Sequence, residues 1–129
     1  MKRKISPAAI APPFARYSHA VEVPTPGRML FVSGQLGMTA DGHVPDDVEG
    51  QAVICFENIK AILAEAGMTF ADVVRFSGYV TDRAAFPIVG AVRSRYVGDN
   101  VFSSTLVIVS GFTRPEFKVE IEVTAMQPA

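Results

Sequence analysis

The alternation of apolar and polar positions is sharpest near the end of the chain, over Lys118–Ala125 (KVEIEVTA). Phe117, Val119, Ile121, Val123 and Ala125 interleave with Lys118, Glu120, Glu122 and Thr124. Successive side chains of a strand point to opposite faces, so this stretch predicts one apolar face and one charged face carrying two carboxylates. Four other runs read as strands: Ser18–Val23 (SHAVEV), Met29–Ser33 (MLFVS), Val73–Val80 (VVRFSGYV) and Ser104–Val109 (STLVIV). Gly78, inside the third of these, marks either a bulge or a close backbone approach.

The period lengthens to three and four between these runs. Val53, Phe56, Ile59, Ile62 and Leu63 form a helical stripe, with Lys60 and Glu65 off it. Asp46 or Asp47 opens this helix, since a carboxylate caps free N–H groups and suits a helix N-terminus. Gly67 closes it. A less regular helix is expected over Ala84–Val97, with Pro87 tolerated in the first turn and Gly98-Asp99-Asn100 ending it. Pro24–Gly27, Asp41-Gly42 and Gly111–Glu116 read as turns, and residues 1–16, Pro-rich and without periodicity, as an extended lead-in. The order β-β-α-β-α-β-β, with no linker or repeat, predicts one α+β domain over residues 1–129, built on a mixed sheet.

Composition narrows the function classes. The formal net charge is -1, and no basic run follows Lys2-Arg3-Lys4, so no nucleic-acid partner is expected. That basic start leads into Pro7, Pro12 and Pro13 and not into an apolar stretch, so it does not read as a signal peptide, and no membrane association is expected. The single Cys55, in an apolar setting, fits a reducing compartment, and the expected localisation is cytoplasmic. A mean hydropathy of +0.26 suggests that partner chains cover some apolar surface.

Two histidines and one cysteine supply no metal-ligand spacing, and no Gly-rich phosphate loop or nucleophile elbow is present. Three features remain, each with a structural reading beside the functional one. Tyr17 is a ligand-binding phenol or a half-buried interface residue. Ser33-Gly34-Gln35 is a place where a ligand approaches the backbone, or a tight turn. Glu120 and Glu122 are acid/base groups or a solvated face.

Taken together, these pieces resemble the RidA/YjgF reactive-intermediate deaminases, also labelled endoribonuclease L-PSP. Arg16-Tyr17-Ser18-His19-Ala20-Val21 resembles the family's P-Y-S-Q-A-V opening, and Leu30–Leu36 (LFVSGQL) its second strand. Gln51–Gly67, with Phe56-Glu57-Asn58-Ile59, resembles the first helix; Asp72-Val73-Val74 follows, and Val119-Glu120-Ile121-Glu122 matches the closing strand. The resemblance implies a chorismate-mutase-like fold with two helices on one face of the sheet, three subunits packed into a barrel, and small molecules bound in clefts between them. It implies hydrolysis of enamine/imine intermediates to 2-keto acids and ammonia without metal or organic cofactor.

Within that resemblance Glu120 matches the water-positioning glutamate, Tyr17 the cleft tyrosine, and Ser33-Gly34 the backbone site. The family's arginine, which forks onto the substrate carboxylate, is absent: its place falls on Ser104 or Thr105. A hydroxyl makes neutral hydrogen bonds and does not replace a bidentate charged pair. Gly90 and Arg93 stand where many relatives have Asn and Tyr, and His19 replaces Gln. Arg16, Arg93 or Arg114 is left to supply the guanidinium from another direction. The expected function is a RidA-like, cofactor-free homotrimer hydrolysing an enamine, imine or related metabolite other than the usual 2-imino acids. The alternative is a trimer that binds a metabolite without turning it over.

Overall fold

The computed structural model describes residues 2–128. Strand β1 (Arg3–Ile5) pairs antiparallel with β2 (Ala20–Glu22). The chain continues through β3 (Pro26–Leu36), α1 (Val48–Glu65), a 3-10 turn (Phe70–Asp72), β4 (Val73–Val80), α2 (Ala85–Val97), β5 (Ser103–Ile108) and β6 (Val119–Pro128). The main sheet has the order β3-β6-β4-β5, with β4 and β5 parallel and the other pairs antiparallel. Two helices on a mixed four-stranded sheet make an α+β fold, as the sequence order predicts. Among the described residues no helix is long and apolar enough to cross a membrane.

The closing strand behaves as its pattern requires. Val119, Ile121, Val123 and Ala125 are buried, while Glu120, Glu122, Thr124 and Met126 are only half-buried on the other face. Because β6 lies between β3 and β4, its apolar face forms the floor of the core. Helix α1 packs on β3 and β6 and lays Phe56, Ile59 and Leu63 onto that floor. The Phe56 ring is stacked on Tyr96 at 5.3 Å and contacts Phe76 at 6.0 Å, which ties α1 to α2 and to β4.

Helix α1 starts at Asp47, whose Oδ2 accepts the Gly50 N–H at 3.0 Å. It ends where Gly67 takes φ +69° and the N–H groups of Gly67 and Met68 return to the carbonyls of Ala64 and Leu63. Asp47→Ala is expected to lower stability by about 1 kcal/mol, read from the midpoint of chemical unfolding, with no change in the folded spectrum.

Three expectations need correction, and the open alternative at Gly78 is decided. Residues 1–16 are not wholly unpaired, because Arg3–Ile5 forms a strand; Lys2 anchors it by donating to the carbonyls of Ala71 and Val73 at 2.7 and 3.0 Å. The first expected strand shortens to Ala20–Glu22 and stands outside the main sheet, and Ser18, just before it, bridges to Ser103. Pro26 and Gly27 belong to β3 and not to a turn, since an edge strand tolerates a missing N–H donor. Gly78 sits in unbroken register, so it is no bulge; the Leu106 side chain lies where its Cβ would be, at 2.2 Å.

Candidate functional site

Strand parity sends Glu120 and Glu122 to the sheet face away from the helices. On the neighbouring β3, Val32 pairs with Val123 and Gln35 with Ile121. Ser33 and Gly34 therefore stand opposite Glu122 alone, as a bulge that takes their backbone out of the regular ladder. The Glu120 carboxyl lies against Gly34: a Cβ there would sit 2.5 Å from Cδ and 2.7 Å from Oε2. Only glycine admits the carboxylate to this position.

That contact has an electrostatic consequence. Removal from water raises the Glu120 pKa above the usual carboxylate range, and the negative charge of Glu122 adds to the effect. Glu122 has a different environment, because the Tyr79 hydroxyl donates to its Oε1. That hydrogen bond to a carboxylate, reinforced by burial, raises the Tyr79 pKa. One carboxylate is thus held by a phenol, while its neighbour is proton-hungry and carries no such partner among the described residues.

A second group of candidates gathers on the opposite side of the sheet. Between α2, β5 and the core lies a cavity of about 580 Å³, within the ~300–1,000 Å³ typical of small-ligand sites. Tyr17, Arg93, Ser104 and Thr105 line it together with several phenylalanines. Arg93 Nη1 donates to Ser104 Oγ at 2.8 Å, and its guanidinium lies over the Phe102 ring at 4.9 Å. Thr105, whose register partner on β4 is Ser77, holds a different arginine: Arg75 Nη2 donates to its Oγ1 at 2.9 Å. Each of the two hydroxyls at the place of the missing arginine therefore accepts a guanidinium N–H from another element.

Arg16 and Arg114 do not reach that place. Arg16 Nη2 donates to the Asn100 carbonyl at 3.1 Å, and Arg114 pairs with Glu116 at the β5–β6 loop. Cys55 offers no chemistry, because burial pushes its thiol up to about 12 and its Sγ donates to the Gln35 carbonyl at 3.1 Å.

This arrangement stands within a recognisable lineage. Residues 8–127 match the family described as endoribonuclease L-PSP. The chain belongs to that family. Protein DfrA of Myxococcus xanthus is 38% identical over 123 residues, covering 94% of this chain and 89% of that one. Escherichia coli K12 TdcF, assigned by its name to the reactive intermediate deaminases, is 28% identical over 127 residues, covering 96% and 93%. The crystal structure of the Rid family protein YyfB from Yersinia pestis superposes with a TM-score of 0.86 at 34% identity, covering 98% of both chains.

For this L-PSP family member, the expected site residues divide into two groups. Glu120, Ser33 and Gly34 come together on the outer face of the sheet, and Tyr17, Ser104 and Thr105 come together around the cavity. Within one chain Glu120 and Ser104 stand on opposite faces of the sheet, while Thr105, at the edge of the cavity, turns its hydroxyl to Arg75 on the Glu120 face. The sequence reading missed Arg75 and Tyr79, although strand parity alone puts Arg75, Ser77 and Tyr79 on one face. It put Gly90 and Arg93 on the second helix and named Arg93 as one source of the guanidinium; the two, three apart on α2, both line the cavity.

Proposed function

We propose that this chain is a RidA-like hydrolase acting on the C–N bond of an imine, or of an enamine after its tautomerisation to the imine, with substrates other than the small 2-imino acids. The observation that carries the reading is the Glu120 carboxyl held against the Ser33-Gly34 bulge with a raised proton affinity. A carboxylate with a pKa moved toward neutrality is a better general base than an ordinary surface glutamate. It orients a water toward the imine carbon and takes its proton as the C–O bond forms. Glu120 returns that proton to the nitrogen, and the carbinolamine, its hydroxyl proton passing to the nitrogen through the same carboxylate, expels ammonia and leaves the carbonyl product. Imine and water give ketone and ammonia, so the balance requires no further reactant.

We further propose that the working form is a homotrimer. Its subunit contacts bring the outer-face Glu120 of one chain to the cavity of the next, uniting groups that one chain keeps apart. Phe31 and Met29, exposed on β3, and Val107, exposed on β5, supply apolar surface for such contacts. The separation of the two groups within a protomer also favours a second reading, in which the cavity binds a metabolite without turnover.

The test supplies imines in situ from amino acids with an amino-acid oxidase and follows formation of the 2-oxo acid. Acceleration well above buffer, for a subset of side chains, is expected from a species of trimeric mass. A trimer that accelerates none of them overturns the hydrolase reading, and a monomeric mass at micromolar concentration overturns the shared site.

A further inference from the structure

The strongest unexplained feature is a pair of cations without an anion. Arg93 and Arg16 flank the same Phe102 ring, with Cζ atoms 4.9 and 5.4 Å from its centroid. Arg93 donates to Ser104 Oγ at 2.8 Å and more weakly to the Arg16 carbonyl at 3.4 Å. Arg16 spends its guanidinium on the carbonyls of Gly98 and Asn100. Among the described residues, the salt bridges of Arg3, Arg95 and Arg114 lie elsewhere, and neither Arg93 nor Arg16 has one. Burial disfavours the Arg93 charge, and the like charge of Arg16 on the same ring adds to that. Neutral acceptors satisfy some of the N–H groups and leave the charge itself unbalanced. A guanidinium has five donors in a planar fork, and among the described residues Arg93 uses two of them.

The walls around this charge are apolar. Phe14, Phe56, Phe76 and Phe86 line the same cavity, and Gly90 on α2 leaves its side open, since a Cβ there would meet nothing within 4 Å. One guanidinium at the edge of an aromatic chamber fits a ligand with one charged end and one bulky hydrocarbon end. A three-carbon acid would satisfy the charge and leave most of the chamber unfilled.

We propose that Arg93, carried by α2 and braced by Ser104, is the anion-binding group of this chain, and that the chamber selects monoanionic acids bearing an aromatic or branched hydrocarbon group. The inference rests on the hydrolase reading only in calling that acid a substrate; the binding itself requires no turnover. The chemistry that supplies such a substrate is two-electron oxidation of the carbon–nitrogen bond of an amino acid with a large apolar side chain.

Calorimetric titration of the intact protein with 3-phenylpropanoate, 3-phenylpropanamide and propanoate tests it. The phenyl acid is expected to bind at least ~10-fold more tightly than its amide, because a hydrogen bond to a charged group is the stronger kind. It should also exceed propanoate by at least ~10-fold, since burying the ring removes apolar area from water. Arg93→Gln should bring acid and amide to equal affinity. Gly90→Leu should weaken both phenyl ligands by filling the chamber, and the open space at Gly90 predicts that this variant folds. Should Arg93→Gln not fold, Arg93→Lys and the acid–amide comparison on the unaltered protein carry the test: the lysine variant should keep a reduced preference for the acid.

Equal binding of acid and amide by the unaltered protein overturns the proposal, as does an unchanged preference in a folded Arg93→Gln. Acid binding through Arg93 with no imine hydrolysis sinks the hydrolase reading and leaves this one standing. Hydrolysis with no acid–amide preference does the reverse.

Discussion

Glu120→Gln is expected to leave the fold intact and to lower imine hydrolysis by roughly 10²–10⁴-fold, the range that a positioned general base contributes. The amide is nearly isosteric, so it keeps the contact with Gly34 and loses only the ability to accept a proton. A second readout separates this from a structural effect. The folded state raises the Glu120 pKa, so it binds this proton more tightly than the unfolded chain does. Ionised Glu120 therefore costs stability, and the cost grows as pH rises through its folded pKa. Glu120→Gln removes that cost. The variant should melt above the parent at neutral pH, and the gain should vanish as pH falls below the ordinary carboxylate range. Full hydrolytic activity in Glu120→Gln would falsify the assignment of the base. A melting gain that persists unchanged in acid would show that the carboxylate is not desolvated at the bulge.

The largest expected effect on stability comes from a polar residue. Gln51, on the first turn of α1, is fully buried. Its Nε2 donates to the carbonyls of Pro45 and Glu116 at 2.8 and 2.9 Å, and its Oε1 accepts the Lys118 N–H at 2.9 Å. One side chain thus fastens the entry to α1 to the entry to β6, the strand that carries Glu120. Gly37 packs directly on it, since a Cβ there would lie 2.5 Å from the Gln51 Cβ. Gln51→Ala leaves three partly buried backbone groups without this partner. At the low end of the ~1–3 kcal/mol for each unsatisfied group, because water reaches part of each site, the expected loss is on the order of 3 kcal/mol, read as a large fall in the denaturant midpoint. A loss below about 1 kcal/mol would mean that water replaces the side chain at all three points. Because the clamp sets the register of β6, the destabilised variant should also lose activity, although Gln51 is remote from the reacting atoms.

Much of the fold could be read from local periodicity. The alternation in KVEIEVTA places Glu120 and Glu122 on one face, and β6 shows that alternation without a break. The stripe from Val53 to Leu63, opened by Asp47 and closed by Gly67, becomes α1 with those caps. Val73–Val80 is reproduced residue for residue in β4. The resemblance to the RidA/YjgF deaminases agrees with the family to which the chain belongs. What was not legible depends on partners distant in sequence. Arg3–Ile5 is too short to show a period and becomes a strand only because Ala20–Glu22 lies beside it. The Ser33-Gly34 bulge exists only relative to β6.

The two halves of the candidate site show the same division. The sequence by itself determined which residues are strand, which are helix, and that Glu120 stands on a polar face, because those properties follow from backbone geometry repeated every two or 3.6 residues. It also showed that no arginine occupies positions 104 and 105. Only the tertiary structure decided what those hydroxyls meet. Ser104 and Thr105 point to opposite faces of one strand, and each receives a guanidinium from a different element, Arg93 of α2 and Arg75 of β4. Reach of that kind depends on how a helix crosses a sheet and on the length of an arginine, and no local pattern records either.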